Sequence, residues 1–288
     1  MNFPDEKKKF IYEIFSKFGT EWDINKNWIG NGYIGSVWRI SDELCLKISK
    51  NTCYHEIPDS FKKCENLCVP LKTFVSKSGK YIGIVQKYLN LYSLENIIKN
   101  KILLSEKQVA NILGDILNGV KVIHESGYVH RDLYPGNIML TLVEEEHQAV
   151  IIDFDEMQLM TEATRACFQY NGYQAPEIVL ENGIYDEKSE IFNIGVIFWE
   201  LILGKCPFGG YDYFGRVIEC SWDNYIQNKE FYNERVKQAI QNLRDYLRKI
   251  EGCSNECKNL LCSLLCFEKE NRLTAREALN HSFFGSKT

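Results

Sequence analysis

Residues 130–137 read HRDLYPGN, and the architecture of the chain follows from what stands on either side of them. Asp132 and Asn137 lie five residues apart. On one loop, such a pair can serve phosphoryl transfer in two ways. The carboxylate orients a nucleophile and accepts its proton, and the amide oxygen ligates a divalent ion. Sixteen residues after Asn137, Asp153 ends the apolar run of VIIDFD and is a natural second metal ligand. Tyr134 is the letter that does not fit, because a positive charge is expected two residues after Asp132.

Upstream, IGNGYIGSV (29–37) places Gly30, Gly32 and Gly35 in a G-x-G-x-x-G-x-V pattern. Glycines let the backbone approach phosphates with no Cβ in the way. A dinucleotide-binding turn would lead into a helix. Here the glycines sit between two strand-like runs, which reads as a hairpin covering phosphates. Ten residues after Val37, Lys47 lies in the strand-like run LCLKIS. A lone lysine there would be an edge charge; after a glycine-rich hairpin it is a candidate to hold phosphates and to pair with a helix glutamate.

The pattern changes character along the chain. From Trp28 to about Tyr88 it is strand-like, interrupted by one predicted helical segment, PDSFKKCENL (58–67), with Pro58 in its first turn. After Leu91, SLENIIKN, EKQVANILGDILNGVKVIHES, EIFNIGVIFWELILG, ERVKQAIQNLRDYLRKI, CKNLLCSLLCF and TAREALNHSFF carry helical periodicity. A strand-rich front and a helical back predict an α+β, bilobal molecule. The N-terminal residues form a helical extension over 1–25, with Phe10, Ile11, Ile14, Phe15 and Phe18 on one stripe and Gly19 as its stop. Residues 26–89 form one lobe and 90–288 the other.

Composition narrows the classes. The 288 residues are 45% hydrophobic and 25% charged, ordinary for a globular chain. A net charge of −5 provides no basic field for nucleic acid. No run of about 18 apolar residues suggests a membrane span. The start, MNFPDEKKKF, lacks the apolar core of a signal peptide, so a cytoplasmic or nuclear location is expected. The eleven cysteines fit reduced thiols better than a disulfide scaffold. Cys253, Cys257, Cys262 and Cys266 are spaced C-x3-C, wider than zinc knuckles, and read as small buried hydrophobes on a helix.

Taken in order, the glycine hairpin, Lys47, HRDLYPGN and VIIDFD resemble the signatures of the eukaryotic-type protein kinase family, over roughly residues 26–285. The resemblance continues through Ala175-Pro176-Glu177, the long helix of KSEIFNIGVIFWELILGKCPF, and NRLTAREALNHSFF, whose Arg272 would pair with Glu177. It implies a protein kinase fold and transfer of the γ-phosphoryl group of ATP, with Mg2+, to a hydroxyl on a protein substrate, serine or threonine. Asp132 would be the base, and Asn137 and Asp153 the metal ligands. Lys47 would contact the α- and β-phosphates, held by Glu56 or, failing that, Glu65. Ile29, Gly30, Gly32, Gly35, Val37, Cys45 and Met139 would surround the nucleotide. Gln86 would guard the back of the slot, and the hinge Lys87-Tyr88-Leu89 would bond the adenine through its backbone.

Four departures from the family pattern bear on function. Tyr134 replaces the lysine that serine/threonine kinases carry; Lys188 or Arg165 could fill the resulting gap in charge. Asp155 replaces the glycine of D-F-G, a substitution that costs least if φ is positive there. Tyr170 replaces the threonine that touches the base. Glu190 replaces an aspartate whose side chain reaches the catalytic-loop backbone. Phosphates on Thr161, Thr164 or Tyr170 could pair with Arg131. Two other readings stand beside an active protein kinase: a weakly active or inactive nucleotide-binding scaffold, and a small-molecule kinase.

Overall fold

The computed structural model describes residues 3–31, 35–50, 56–90, 92–144, 146–162, 173–181, 185–204, 207 and 229–285. The chain divides into two compact units. The first comprises Met1–Lys63 with Leu67–Asn90, and the second Cys64–Asn66 with Leu91–Thr288. The α+β division expected from the sequence is found: a strand-rich unit and a helical one.

Among its described residues, the first unit is a five-stranded antiparallel sheet with one α-helix on it. The strands are β1 (Trp28–Asn31), β2 (Gly35–Arg39), β3 (Leu44–Lys50), β4 (Lys72–Val75) and β5 (Tyr81–Lys87), in the order β1-β2-β3-β5-β4. β3 pairs along its whole length with β5, Lys47 opposite Ile84 and Cys45 opposite Gln86. Helix α1 (Asp5–Lys17) has Asp5 and Glu6 in its first turn and Lys17 in its last, charges that suit the helix dipole. It buries Phe10, Ile11, Ile14 and Phe15 against Trp38, Ile40, Leu46, Ile48, Tyr81 and Val85. Gly19, at φ +67°, ends this segment in a conformation that glycine adopts without strain. Phe3, Trp22 and Trp28 complete an aromatic shell around Trp38, with ring centroids 4.9–5.6 Å from it.

One predicted element is corrected. Residues 58–67 do not form an α-helix; a single 3-10 turn covers Phe61–Lys63. Pro58 has no N–H to give, and its carbonyl accepts from Phe61 in a turn. Phe61 alone is fully buried there. Residues 64–66 belong to the second unit. There the Asn66 side chain donates to the Ala149 carbonyl at 3.1 Å, and its own carbonyl accepts from Ile151 at 2.8 Å. Held at Asn66 by these two bonds, the end of the segment leaves the helical path. Apolar spacing alone could not reveal the tethers.

The second unit is mostly helical. Its helices are α2 (Leu94–Lys99), α3 (Glu106–Glu125), α4 (Pro176–Glu181), α5 (Glu187–Leu203), α6 (Lys229–Lys249), α7 (Asn255–Leu264) and α8 (Ala275–Leu279). Capping boxes start α2 at Ser93, α3 at Ser105 and α8 at Thr274, each with its partner side chain three residues on. α5 is the central rod: Ser189 to Leu201 are all buried, Asp186 caps its start, and left-handed Gly204 ends it. Two short ladders hold the loop that carries HRDLYPGN: β6 (Tyr128–Val129) with β9 (Gln158–Leu159), and β7 (Ile138–Val143) with β8 (Glu146–Ile151). Among the described residues, no helix is long and apolar enough to cross a membrane. Cys257 and Cys266 are buried and Cys253 and Cys262 half-buried, and burial raises the thiol pKa of Cys257 and Cys266.

Candidate active site

In the second unit, the catalytic loop is anchored before it can act. Arg131 sits at φ +70°, a left-handed conformation that costs an arginine free energy unless something holds it. Glu190 of α5 supplies the hold. It is fully buried, and its Oε1 accepts the Arg131 backbone N–H at 2.6 Å. Its Oε2 lies 2.7 Å from His124 Nε2, at the end of α3. The longer glutamate therefore reaches the loop backbone and a second helix together. His124 carries no motif, so sequence reading passed over it.

The chain then runs through the histidine ring. His130 Nδ1 accepts the Asp132 backbone N–H at 3.3 Å, and its Nε2 lies 3.1 Å from the Ile152 carbonyl. One neutral tautomer, protonated at Nε2, satisfies both contacts. The Asn137 amide donates to the Asp132 carbonyl at 2.9 Å and to its Oδ2 at 2.7 Å. This leaves the Asn137 amide oxygen as the atom able to face a cation. The Asn137 carbonyl accepts from Ile152 at 3.0 Å, which ties the loop to the strand that delivers Asp153.

Burial raises the Asp132 carboxyl to about 6, and the nearby charge of Asp153 pushes it further in that direction. An expected result follows: in metal-free protein, Asp132 titrates near 6 by carboxyl-carbon NMR, and Asp153→Asn lowers that value. An unchanged titration in the variant would show that the two carboxylates do not sense each other. Asp153 itself takes φ +66°, and the Asp155 N–H approaches Asp153 Oδ1 at 3.4 Å. The positive φ lies at Asp153, two residues before Asp155. Aspartate tolerates that region better than most side chains.

Tyr134 lies half-buried at the start of the 3-10 turn Pro135–Asn137. Its ring covers Gly136 so closely that a Cβ there would sit 2.4 Å from Tyr134 Cε2. The ring also lies 6.4 Å from Tyr173, whose hydroxyl donates to Glu200 Oε2 at 2.5 Å. Lys188 does not fill the gap in charge, because its ammonium donates to the Arg272 carbonyl at 2.5 Å. Arg165, Thr164, Tyr170 and Gly32 lie outside the described residues, and Thr161 is exposed in a turn. Met139 is half-buried on β7, beside the loop.

Behind the loop, Arg272 makes a bidentate pair with Glu177, at 2.7 and 2.8 Å. Its three other donors go to the carbonyls of Cys266, Lys188 and Phe267, at 2.8, 3.0 and 2.9 Å. All five guanidinium donors are used in a fully buried side chain, lying 5.0 Å over the Phe192 ring.

In the first unit, strand alternation puts Val37, Cys45 and Lys47 on one face of the sheet. Ile29 is exposed at an irregularity in β1. Gly35 is needed by the sheet itself, since a Cβ there would meet the Ile48 carbonyl at 2.6 Å. At Gly30 a Cβ would meet nothing within 4 Å, so the described fold does not itself demand glycine there. Two expectations change in this unit. Glu56 is exposed and lies on no helix, so the expected helix partner of Lys47 is not found there; Glu65, which belongs to the second unit, is exposed in a turn and lies on no helix either. The Tyr88 N–H is directed to the Glu43 carbonyl at 2.7 Å and is not left for adenine. The hinge keeps the Lys87 carbonyl, which the Cys45 and Cys68 thiols approach at 3.5 and 3.7 Å, and Leu89 follows, half-buried; Gln86 is half-buried at the end of β5.

The protein kinase domain family model matches residues 26–284. This chain belongs to the protein kinase family. It is 30% identical to human mitogen-activated protein kinase 13 over 189 residues, covering 62% of this chain and 51% of that protein. It is 30% identical to mouse mitogen-activated protein kinase 12 over 192 residues, covering 64% and 52%. With Xenopus laevis mitogen-activated protein kinase 14 it shares 30% over 227 residues, covering 75% and 60%. The chain spans about half the length of the curated relatives it matches first.

Proposed function

We propose that the chain is a protein kinase that transfers the γ-phosphoryl group of Mg2+-ATP to a serine or threonine hydroxyl of a protein substrate. The observation that carries this reading is the pre-set pair of Asp132 and Asn137, braced by Glu190 and His124. In it, Asp132 orients the hydroxyl and takes its proton. The donors suit Mg2+, which prefers hard oxygens: the Asp153 carboxylate and the Asn137 amide oxygen. Gly30, whose Cβ position is open, leaves room for phosphates, and Gly32 and Gly35 belong to the same glycine-rich stretch of sequence. Lys47 holds the phosphates, and Ile29, Val37, Cys45, Gln86, Leu89 and Met139 surround the base. When bound, Mg2+-ATP supplies the transferable group and offsets its charge. Residues 26–285 act as the kinase domain, with 1–25 as an extension.

The test is labelling of generic protein substrates and of the chain itself, followed by phosphoamino-acid analysis. Phosphoserine or phosphothreonine is expected; nucleotide binding without any labelled product would sink the enzymatic reading. A second measurement probes the departure at Tyr134. Tyr134→Lys restores a cation beside the transferred group, and kcat is expected to rise about tenfold, since phosphoryl transfer rests on positioning and electrostatics. No rise would mean that the missing charge does not limit the rate.

A further inference from the structure

Among the described residues of the connection from β3 to β4, the one helical element is the 3-10 turn Phe61–Lys63. A different helix contacts this sheet. Leu46 and Ile48, the neighbours of Lys47 on β3, are both fully buried in the cluster that α1 closes. By alternation they point away from the face that carries Lys47. α1 therefore presses on the lysine strand from behind. The contact has a knob and a socket. Gly83 of β5 lies opposite Ile48, and a Cβ at Gly83 would fall 2.6 Å from Ile14 Cδ1, 3.1 Å from Ile48 Cδ1 and 3.4 Å from Leu46 Cδ1. The Ile14 side chain occupies the space that a side chain at residue 83 would need. α1 is also tied at both ends: Glu6 accepts a hydrogen bond from Ser78, and the Lys17 ammonium sits 5.0 Å over the Phe74 ring.

We infer that α1 is the positioning helix of this kinase, with Ile14 seated on Gly83 holding Lys47 in register for ATP from the opposite face of the sheet. The inference rests on the proposed function, because it concerns how the phosphate-holding lysine is aimed. It makes the N-terminal segment a control point: whatever lifts α1 off the sheet loosens the grip on ATP.

The test moves one methyl group in the full chain. Gly83→Ala adds a carbon where Ile14 Cδ1 now sits, and Ile14→Val removes that carbon. ATP affinity is read with a fluorescent ATP analogue, KM and kcat with a protein substrate, and melting temperature on the same preparations. Gly83→Ala is expected to raise KM for ATP about tenfold with a smaller change in kcat, and the double variant to return to within about twofold of wild type. If the single variants lower the melting temperature yet leave ATP affinity and KM unchanged, α1 is packing alone and the inference fails. Should Gly83→Ala not fold, Ile14→Val and Ile14→Ala carry the test: amide exchange in β3 and KM for ATP are expected to rise in that order, and unchanged values overturn the idea. A wild-type chain that neither binds ATP nor labels substrate overturns the proposed function and this inference together. A working wild type without rescue in the double variant overturns the inference alone.

Discussion

Asp132→Asn is expected to lower phosphoryl transfer about a thousandfold while leaving the protein folded. The asparagine oxygen can still accept from the Asn137 amide, so the loop geometry survives. What disappears is the group that accepts the proton. The sign of the stability change is also fixed. Burial raises the folded-state Asp132 pKa to about 6 from its ordinary 3.8, so the fold disfavours the ionised carboxylate. Protonation therefore favours the folded state as pH falls through 6 toward 3.8, and above 6 the full cost of ionisation is present. A neutral side chain removes that cost at pH 7. The melting temperature of the variant should hold or rise, with activity nearly gone. A variant that melts much earlier would mean that the lost activity reports damage to the loop rather than loss of the base.

The second large effect is structural. Arg272→Ala removes five hydrogen bonds and strands Glu177 against α5, where Ser189 Oγ is its other described partner. Losing one partner of a buried charge pair costs about 3–5 kcal/mol. In a chain of this size that lowers the melting temperature by about 10 °C. Glu177→Gln keeps hydrogen-bonding capacity and should lose clearly less, as thermal unfolding of both variants can establish. Equal losses in the two would mean that charge contributes little beyond packing. Because Arg272 also binds the Lys188 carbonyl and its own carbonyl accepts from the Lys188 ammonium, the first turn of α5 should loosen with it.

The fold class was legible because two periodicities occupy different stretches. Alternation dominates before residue 90, and helical spacing with strong caps dominates after it, as at Ser105 and Asp186. The proposed chemistry of the loop was read from Asp132, Asn137 and Asp153, which stand at fixed separations in the sequence. What was not legible depended on long-range tethers. PDSFKKCENL reads as a helix, yet the side chain of its Asn66 is bound to the Ala149 carbonyl of β8, 83 residues later in the sequence. Lys188 was a free cation on paper, but the Arg272 carbonyl, 84 residues away, holds it. The glycine lost from D-F-G drew attention to φ at Asp155, whereas the left-handed residue is Asp153, whose side chain can accept from the residue two on. Nothing in the sequence marks Gly136, and only the placement of the Tyr134 ring shows what the missing Cβ makes room for.

The aromatic shell around Trp38 has an optical consequence. Of the five tryptophans in the chain, Trp22, Trp28 and Trp38 stand in one group at the N-terminal edge of the sheet, and Phe3 closes over it. Trp38 is fully buried. The intrinsic emission of the protein is thus weighted toward the segment that carries α1. Wetting of that shell would shift the emission to longer wavelength. A fragment trimmed to residue 26, where the family match begins, would uncover Trp38 and the apolar face of β3 together. Such a fragment would be red-shifted and prone to self-association before any catalytic residue had been touched.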